Sequence, residues 1–132
     1  MIVLDASAAI ELLLLTRTGS SLVDRVFAPG EDLHAPELVD LEVAQVLRRF
    51  ERAGELGAER ARQALDDLAD LPLERYAHRL LLPRAWELRS NLTIYDAVYV
   101  ALAELLDAPL LTCDAALARA PHDARVELVG TG

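Results

Sequence analysis

The sequence TIYDAVYVALA at Thr93–Ala103 is apolar around almost its whole helical circumference. A helix of this kind is buried on all sides, so the stretch predicts a central helix against which the rest of the chain packs. Its single carboxylate, Asp96, shares a helical face with Tyr99 and Val100. Burying a charge is unfavourable unless a cation or hydrogen-bond donors meet it. Two interpretations stay open: Asp96 completes a variant of the capping box begun by Thr93, or it is a ligand.

Outward from this helix, short apolar runs that predict strands alternate with helical patterns. We predict five strands, at residues 2–4, 33–35, 74–77, 110–113 and 126–129. We predict seven helices. Five of them span 6–15, 37–54, 58–70, 93–107 and 114–119; a sixth runs from 19–21 to about 29, and a seventh from just before Pro83 to about 91. This alternation is typical of an α/β protein with a mostly parallel central sheet. Right-handed crossovers then place helices on both faces, giving three α/β/α layers. We expect one domain spanning residues 1–132.

Composition restricts the classes of function. The only cysteine, Cys113, cannot form an internal disulfide, and no basic segment precedes the apolar run Ile2–Leu4, so we expect a cytoplasmic protein without a secretory signal. No apolar run is long enough to span a membrane. The formal net charge of −9 argues against general nucleic-acid binding unless the acids are gathered at a cation site. All 13 basic residues are arginine, which excludes any mechanism that needs a lysine.

Two carboxylates follow predicted strands at equivalent places. Asp5 comes directly after the first strand, and Asp114 comes directly after the fourth. The carboxyl ends of parallel strands lie along one edge of a sheet, where ligands bind in open α/β folds. A hydroxyl lies close to each acid, Ser7 near Asp5 and Thr112 near Asp114. The alternative that these side chains only cap helices stays open, since Asp and Ser favour that position.

A fourth acid, Glu42, lies on the long helix that begins near Glu37. Glu42, Gln45, Arg49 and Arg52 line the edge of this helix opposite its apolar stripe. One interpretation is a solvated face with one Glu-to-Arg pairing. The other is a carboxylate that faces the crevice, with arginines behind it to meet phosphates.

Taken together, the four acids indicate a site for a hard divalent cation. Carboxylates gathered within a few ångströms repel one another, and a cation relieves that repulsion. Mg²⁺ and Mn²⁺ take oxygen ligands, and a pair of such ions can activate a water and stabilise the leaving oxygen in a phosphoryl displacement. The three histidines (His34, His78 and His122) lack the spacing of zinc ligands, so we interpret them as structural or surface residues.

With these residues in view, the chain resembles the PIN-domain family, and more specifically the VapC toxins of bacterial toxin–antitoxin pairs. The resemblance covers nearly the whole chain. It rests on Ile2–Ala8 (IVLDASA), Leu41–Val43 (LEV), Ile94–Ala103 (IYDAVYVALA) and Leu111–Leu117 (LTCDAAL). Gln45 departs from the pattern, since many members have Asn there, which concerns the surroundings of Glu42 rather than the acid itself.

The resemblance implies a metal-dependent endoribonuclease toxin of a VapBC-type pair. Such an enzyme cleaves structured RNA, transfer RNA or ribosomal RNA, by attack of a metal-activated water on a phosphodiester. The implied ligands of Mg²⁺, with Mn²⁺ able to substitute, are Asp5, Glu42, Asp96 and Asp114. Ser7 and Thr112 match the supporting hydroxyls of the family.

The resemblance also implies a homodimer and a cognate VapB-type antitoxin that covers the cleft. The leucine run Leu12–Leu15 exceeds what one core face can take, which suits a groove covered by a partner or a dimer contact. Arg48, Arg49 and Arg52 are candidates for contacts with RNA phosphates.

Other classes of function stay open at this point. A PIN-like binding module without turnover would keep the same fold. A phosphoryl-acceptor signalling domain would also be small, acidic and α/β, but it depends on a lysine that this chain lacks. A nuclease acting on DNA is a further alternative, because nothing in the sequence reads a 2′-hydroxyl.

Overall fold

The computed structural model describes residues 1–130, so the last two residues of the predicted domain lie outside it. Five strands and seven helices occur within the described part of the chain. In order they are β1 (Ile2–Leu4), α1 (Ala6–Leu14), α2 (Arg17–Val26), β2 (Leu33–Pro36), α3 (Leu38–Arg52), α4 (Ala58–Asp70), β3 (Leu73–Tyr76), α5 (His78–Glu87), α6 (Ile94–Leu106), β4 (Leu110–Thr112), α7 (Ala115–Arg119) and β5 (Val126–Leu128).

The strands form one parallel sheet in the order β3-β2-β1-β4-β5. The central strand is β1, whose Val3 lies opposite His34 of β2 on one side and Leu110 of β4 on the other. The chain moves from β1 towards β3 and then returns to add β4 and β5 on the other side. The order therefore reverses between β1 and β4, which is where open α/β sheets form a ligand crevice.

Helices cover both faces of the sheet, and the predicted three-layer α/β/α arrangement is confirmed. The helices α1 to α4 pack against one another, whereas α5 packs on α6. The helix α6 contacts β1, β2 and β4, and every residue from Ala97 to Ala103 is buried. The helix predicted to be central is thus the one that covers the middle of the sheet.

The predicted start of the second helix is wrong. This helix begins at Arg17, with Thr16 as N-cap accepting a hydrogen bond from the Gly19 N–H at 3.0 Å. A Cβ at position 19 would overlap the carbonyl oxygen of Glu11. Gly19 therefore allows α1 and α2 to approach closely, and the sequence pattern mistook this packing glycine for a helix boundary.

The predicted start of α5 also needs correction. The predicted start just before Pro83 is wrong, because α5 begins at His78 and Pro83 lies five residues inside it. Proline lacks the N–H that an interior helical residue donates. Pro83 has its ring on the exposed side of the helix. The prediction that one core face cannot take the whole leucine run is confirmed, because Leu12 and Leu13 are buried, Leu14 is partly buried and Leu15 is exposed. The helices α2 and α5 also end three to four residues earlier than predicted, at Val26 and Glu87, and the remaining element boundaries agree with the prediction to within about two residues.

Five of the eleven large apolar side chains that are exposed in the described part of the chain lie together on another layer. On the α5/α6 layer they are Leu80, Leu82, Trp86, Tyr95 and Leu105. We call this the α5/α6 apolar surface. Within residues 1–130, no helix has both the length and the apolar character needed to cross a bilayer.

Candidate active site

Asp5 lies at the carboxyl end of β1 and is the N-cap of α1. Its Oδ1 accepts hydrogen bonds from the Ala8 N–H (3.0 Å) and the Ser7 hydroxyl (2.7 Å), and its Oδ2 accepts one from the Thr112 hydroxyl (2.5 Å). The residue is only 6% exposed. A carboxylate offers about four lone-pair positions, so these three bonds leave one on Oδ2. Asp5 therefore caps a helix and keeps one lone-pair position open for a further contact.

The hydroxyls of Ser7 and Thr112 connect the ends of the two central strands. Each donates to Asp5, and each also accepts a backbone N–H from the segment after β4. The Cys113 N–H donates to Ser7 Oγ at 2.9 Å, and the Asp114 N–H donates to Thr112 Oγ1 at 3.0 Å. These bonds hold the turn after β4 in register with the turn after β1.

Glu42 lies on the second turn of α3 and is half-buried, facing the crevice rather than open solvent. Its Oε1 accepts a hydrogen bond from the Tyr99 hydroxyl of α6 at 2.6 Å. Burial raises the pKa of Glu42, the Tyr99 hydrogen bond opposes that rise, and the charges of Asp96 and Asp5 raise it further. The interpretation of Glu42 as a solvated surface acid is therefore wrong.

Asp96 and Asp114 complete the group. Asp96 is half-buried in the first turn of α6, where its N–H donates to the N-cap hydroxyl of Thr93 at 3.1 Å. Burial raises the pKa of Asp96, and the charge of Asp114 raises it further. Asp114 is exposed and caps α7, accepting the Ala116 N–H at 2.9 Å.

Mutual repulsion links these four carboxylates. Burial is the main cause of the raised pKa of Asp5; the bonds from Thr112, Ser7 and Ala8 oppose it, and the charge of Asp96 adds to it. Because Asp96 also acts on Glu42 and responds to Asp114, the predicted acids share one electrostatic environment. They come from the sheet edge and from both helical layers, on β1, α3 and α6 and after β4.

The donor set fits a hard divalent cation. Its atoms are carboxylate and hydroxyl oxygens, which Mg²⁺ and Mn²⁺ prefer. In residues 1–130, no three His, Cys, Asp or Glu side chains form a ready-made metal cage. Mg²⁺ is usually held by one or two carboxylates, with waters and substrate phosphate completing its shell. The lone pair on Asp5 Oδ2 and the second oxygen of Glu42 meet that lower requirement.

The predicted RNA-contacting arginines lie away from the acids. Arg48, Arg49 and Arg52 are exposed in the last turns of α3. At a rise of about 1.5 Å per residue, Arg49 lies roughly 10 Å and Arg52 roughly 15 Å along the helix from Glu42. They could contact only parts of a substrate distant from the acids.

The histidines have structural partners. His34 lies between Asp32 and Tyr76, and the Nε2 of His78 accepts the Leu38 N–H at the start of α3. His122 contacts the Leu117 carbonyl. Sequence reasoning missed the cap that His78 provides to the helix carrying Glu42, because it depends on a contact between residues 40 positions apart.

Comparison with known proteins places this arrangement in a family. The PIN domain matches residues 2–123. Ribonuclease VapC12 of Mycobacterium tuberculosis is 41% identical over 130 residues, covering 98% of this chain and 99% of the relative. Ribonuclease VapC1 of the same organism is 45% identical over 120 residues, with 90% of each chain covered. The chain belongs to the PIN-domain family, in its VapC branch.

A solved structure agrees with the PIN fold. VapBC2 from Rickettsia felis, crystallised with a DNA fragment from its promoter, superposes with a TM-score of 0.71 over 98% of this chain and 99% of that chain. Its sequence identity is 16%, so this likeness concerns the fold alone. The three-layer architecture of the chain is therefore that of a PIN domain, with the acids at its crevice.

Proposed function

We propose that this protein is a metal-dependent endoribonuclease toxin that cleaves structured RNA, transfer RNA or ribosomal RNA, by hydrolysis of a phosphodiester bond. The observation that carries the proposal is the position of the four acids where the strand order reverses: Asp5 at the end of β1, Asp114 after β4, and Glu42 and Asp96 on the helices α3 and α6, which the Tyr99–Glu42 hydrogen bond joins. Membership of the VapC branch, whose named relatives are ribonucleases, supports RNA as the substrate.

We propose Mg²⁺ as the cofactor, with Mn²⁺ able to substitute, and the four acids as its ligands. When bound, such an ion activates water for attack on phosphorus and stabilises the leaving oxygen. The residues of the chain supply the orientation: Ser7 and Thr112 fix both oxygens of Asp5. Because these donors are neutral hydroxyls, the negative charge of the site is left for the cation, whose own positive charge would then bind the substrate phosphate.

The negative net charge is compatible with RNA as a substrate under this proposal. Four of the acids face a cation, and the exposed Arg49 and Arg52 extend a basic path along α3. Phosphate contacts from arginine supply affinity without sequence specificity. We therefore assign these two arginines to substrate binding and not to chemistry.

We further propose a homodimer and a cognate VapB-type antitoxin as protein partners. The α5/α6 apolar surface supports a protein contact, because exposed apolar side chains gathered on one layer are typical of interaction sites. Trp86, 60% exposed, is its largest side chain. We assign this surface to the homodimer and the crevice of the acids to the antitoxin.

The decisive experiment is cleavage of total cellular RNA by the purified protein, with mapping of the new 5′ ends. We expect RNA cleavage in the presence of Mg²⁺, no cleavage after EDTA is added, and restored cleavage when Mn²⁺ is supplied. Asp96→Asn should abolish cleavage while the protein stays folded, and the exposed Asp24→Asn on α2 is the matched control. Cleavage at the wild-type rate by Asp96→Asn, or indifference to EDTA, would refute the proposal. RNA binding without cleavage would favour a binding module.

The toxin role needs a separate test. Expression of the protein alone should arrest growth, and co-expression with the product of the adjacent upstream gene should relieve the arrest and yield a complex. Arrest that persists with no co-purified partner would contradict the antitoxin assignment and leave the nuclease assignment standing.

A further inference from the structure

Tyr99 joins the two helical layers at the acids. It lies on α6, one turn after Asp96, and its side chain is only 2% exposed. Its hydroxyl donates to the Oε1 of Glu42, on α3, at 2.6 Å. A buried phenol normally finds one hydrogen-bond partner. Here that partner is one oxygen of an acid that faces the crevice.

The contact has a consequence for the Glu42 side chain. Asp5 and Asp96 repel the Glu42 carboxylate, and a glutamate has three rotatable bonds through which to turn towards water. The Tyr99 hydroxyl opposes that turn because it donates from a rigid, buried ring on the opposite layer. It also engages Oε1, while no hydrogen bond seen in residues 1–130 engages Oε2, which is therefore available to a ligand.

We propose that Tyr99 is a positioning residue, which holds the Glu42 carboxylate in the orientation that binds the divalent cation. This inference rests on the proposed metal-dependent function. Partners that orient metal ligands typically contribute about 10- to 100-fold to metal affinity. Tyr99 acts through Glu42 and does not contact the substrate.

The test is Mn²⁺ binding in the absence of RNA, measured by calorimetry and by the electron paramagnetic resonance of free Mn²⁺. We expect Tyr99→Phe, which deletes only the hydroxyl, to weaken Mn²⁺ binding about tenfold or more. Tyr76→Phe is the matched control, since it removes a tyrosine hydroxyl that contacts His34 at 2.8 Å on the edge of the sheet. That control should leave the affinity within twofold of wild type.

A double-mutant cycle separates positioning from a general structural effect. In a Glu42→Gln background, Tyr99→Phe should change Mn²⁺ affinity by less than about twofold, because there is no carboxylate left to orient. Tyr99→Phe should also lower kcat for RNA cleavage without raising KM. Equal Mn²⁺ affinity of wild type and a folded Tyr99→Phe variant, or an undiminished loss in the Glu42→Gln background, would overturn the inference.

A variant-free measurement covers the case in which Tyr99→Phe does not fold. In wild-type protein labelled at the tyrosine ζ-carbon, the Tyr99 resonance should move during a Mg²⁺ titration with the dissociation constant of the metal. A resonance that stays fixed while metal binds would overturn the inference alone. A wild-type protein that neither binds Mn²⁺ nor cleaves RNA would instead overturn the proposed function together with it.

Discussion

Thr112→Val is the most direct test of how the site is built. Thr112 is fully buried, and valine keeps its shape while removing the hydroxyl. The hydroxyl donates to Asp5 and accepts from the Asp114 N–H. A hydrogen bond to a charged group contributes about 1.5–3 kcal/mol and a neutral one about 1 kcal/mol. We therefore expect the metal-free variant to be less stable by about 2.5–4 kcal/mol at a pH where Asp5 is ionised.

The measurement is urea or thermal unfolding followed by circular dichroism, with the α2 variant Thr18→Val as control. For a chain of this size the loss corresponds to a Tm lower by about 8–15 °C. The Thr112 bond lowers the pKa of Asp5, so its full contribution requires an ionised Asp5. The deficit should be largest above the folded-state pKa of Asp5 and shrink as pH falls through it. A deficit below about 1 kcal/mol, or one independent of pH, would refute the reasoning.

Three other predictions concern pH, assembly and substrate. Because the pKa values of Asp5, Glu42 and Asp96 are raised, their contribution to the stability of the metal-free protein should increase as pH falls through their folded-state pKa values towards about 4. Saturating Mg²⁺ should remove that increase, and unfolding that is insensitive to pH and Mg²⁺ would contradict this. Trp86→Glu should weaken self-association at least about tenfold by light scattering, with circular dichroism unchanged; an unaltered dimer would exclude the α5/α6 apolar surface. Arg49→Glu should raise KM for RNA and reduce its salt dependence with little change in kcat; an unchanged KM would remove Arg49 from the substrate path.

Much of the fold follows from local pattern. The apolar circumference of Thr93–Ala103 predicts a central helix, and apolar runs that end in Asp5 and Asp114 predict strand ends on one edge of the sheet. Gly19 shows where this reasoning fails. A glycine that ends a helix and a glycine that lets two helices touch look the same in a sequence, because the difference lies in a contact with a residue of the preceding helix.

For the candidate site, too, relations along the chain could be predicted from the sequence, whereas contacts between distant residues could not. Sequence pattern together with the family resemblance indicated the four acids as candidates and placed Ser7 beside Asp5, because those relations run along the chain. It could not show that Ser7 also accepts the Cys113 N–H, or that Tyr99 donates to Glu42. These contacts cross 106 and 57 positions. The buried phenol did carry a signal, since its hydroxyl requires a partner, but the sequence did not name that partner.

The choice of donors around the acids is itself an argument about function. Among the ion pairs within residues 1–130, none involves the four acids, although arginines pair with other carboxylates, such as Arg75 with Asp40 and Arg84 with Glu104. An arginine beside Asp5 or Glu42 would neutralise the charge permanently and compete with a metal ion. Hydroxyl donors orient a carboxylate and leave its charge in place. A fold that needed Asp5 and Glu42 only as a helix cap and a surface acid would have no reason to bury one and half-bury the other beside neutral hydroxyls, since burial of a carboxylate carries a desolvation cost.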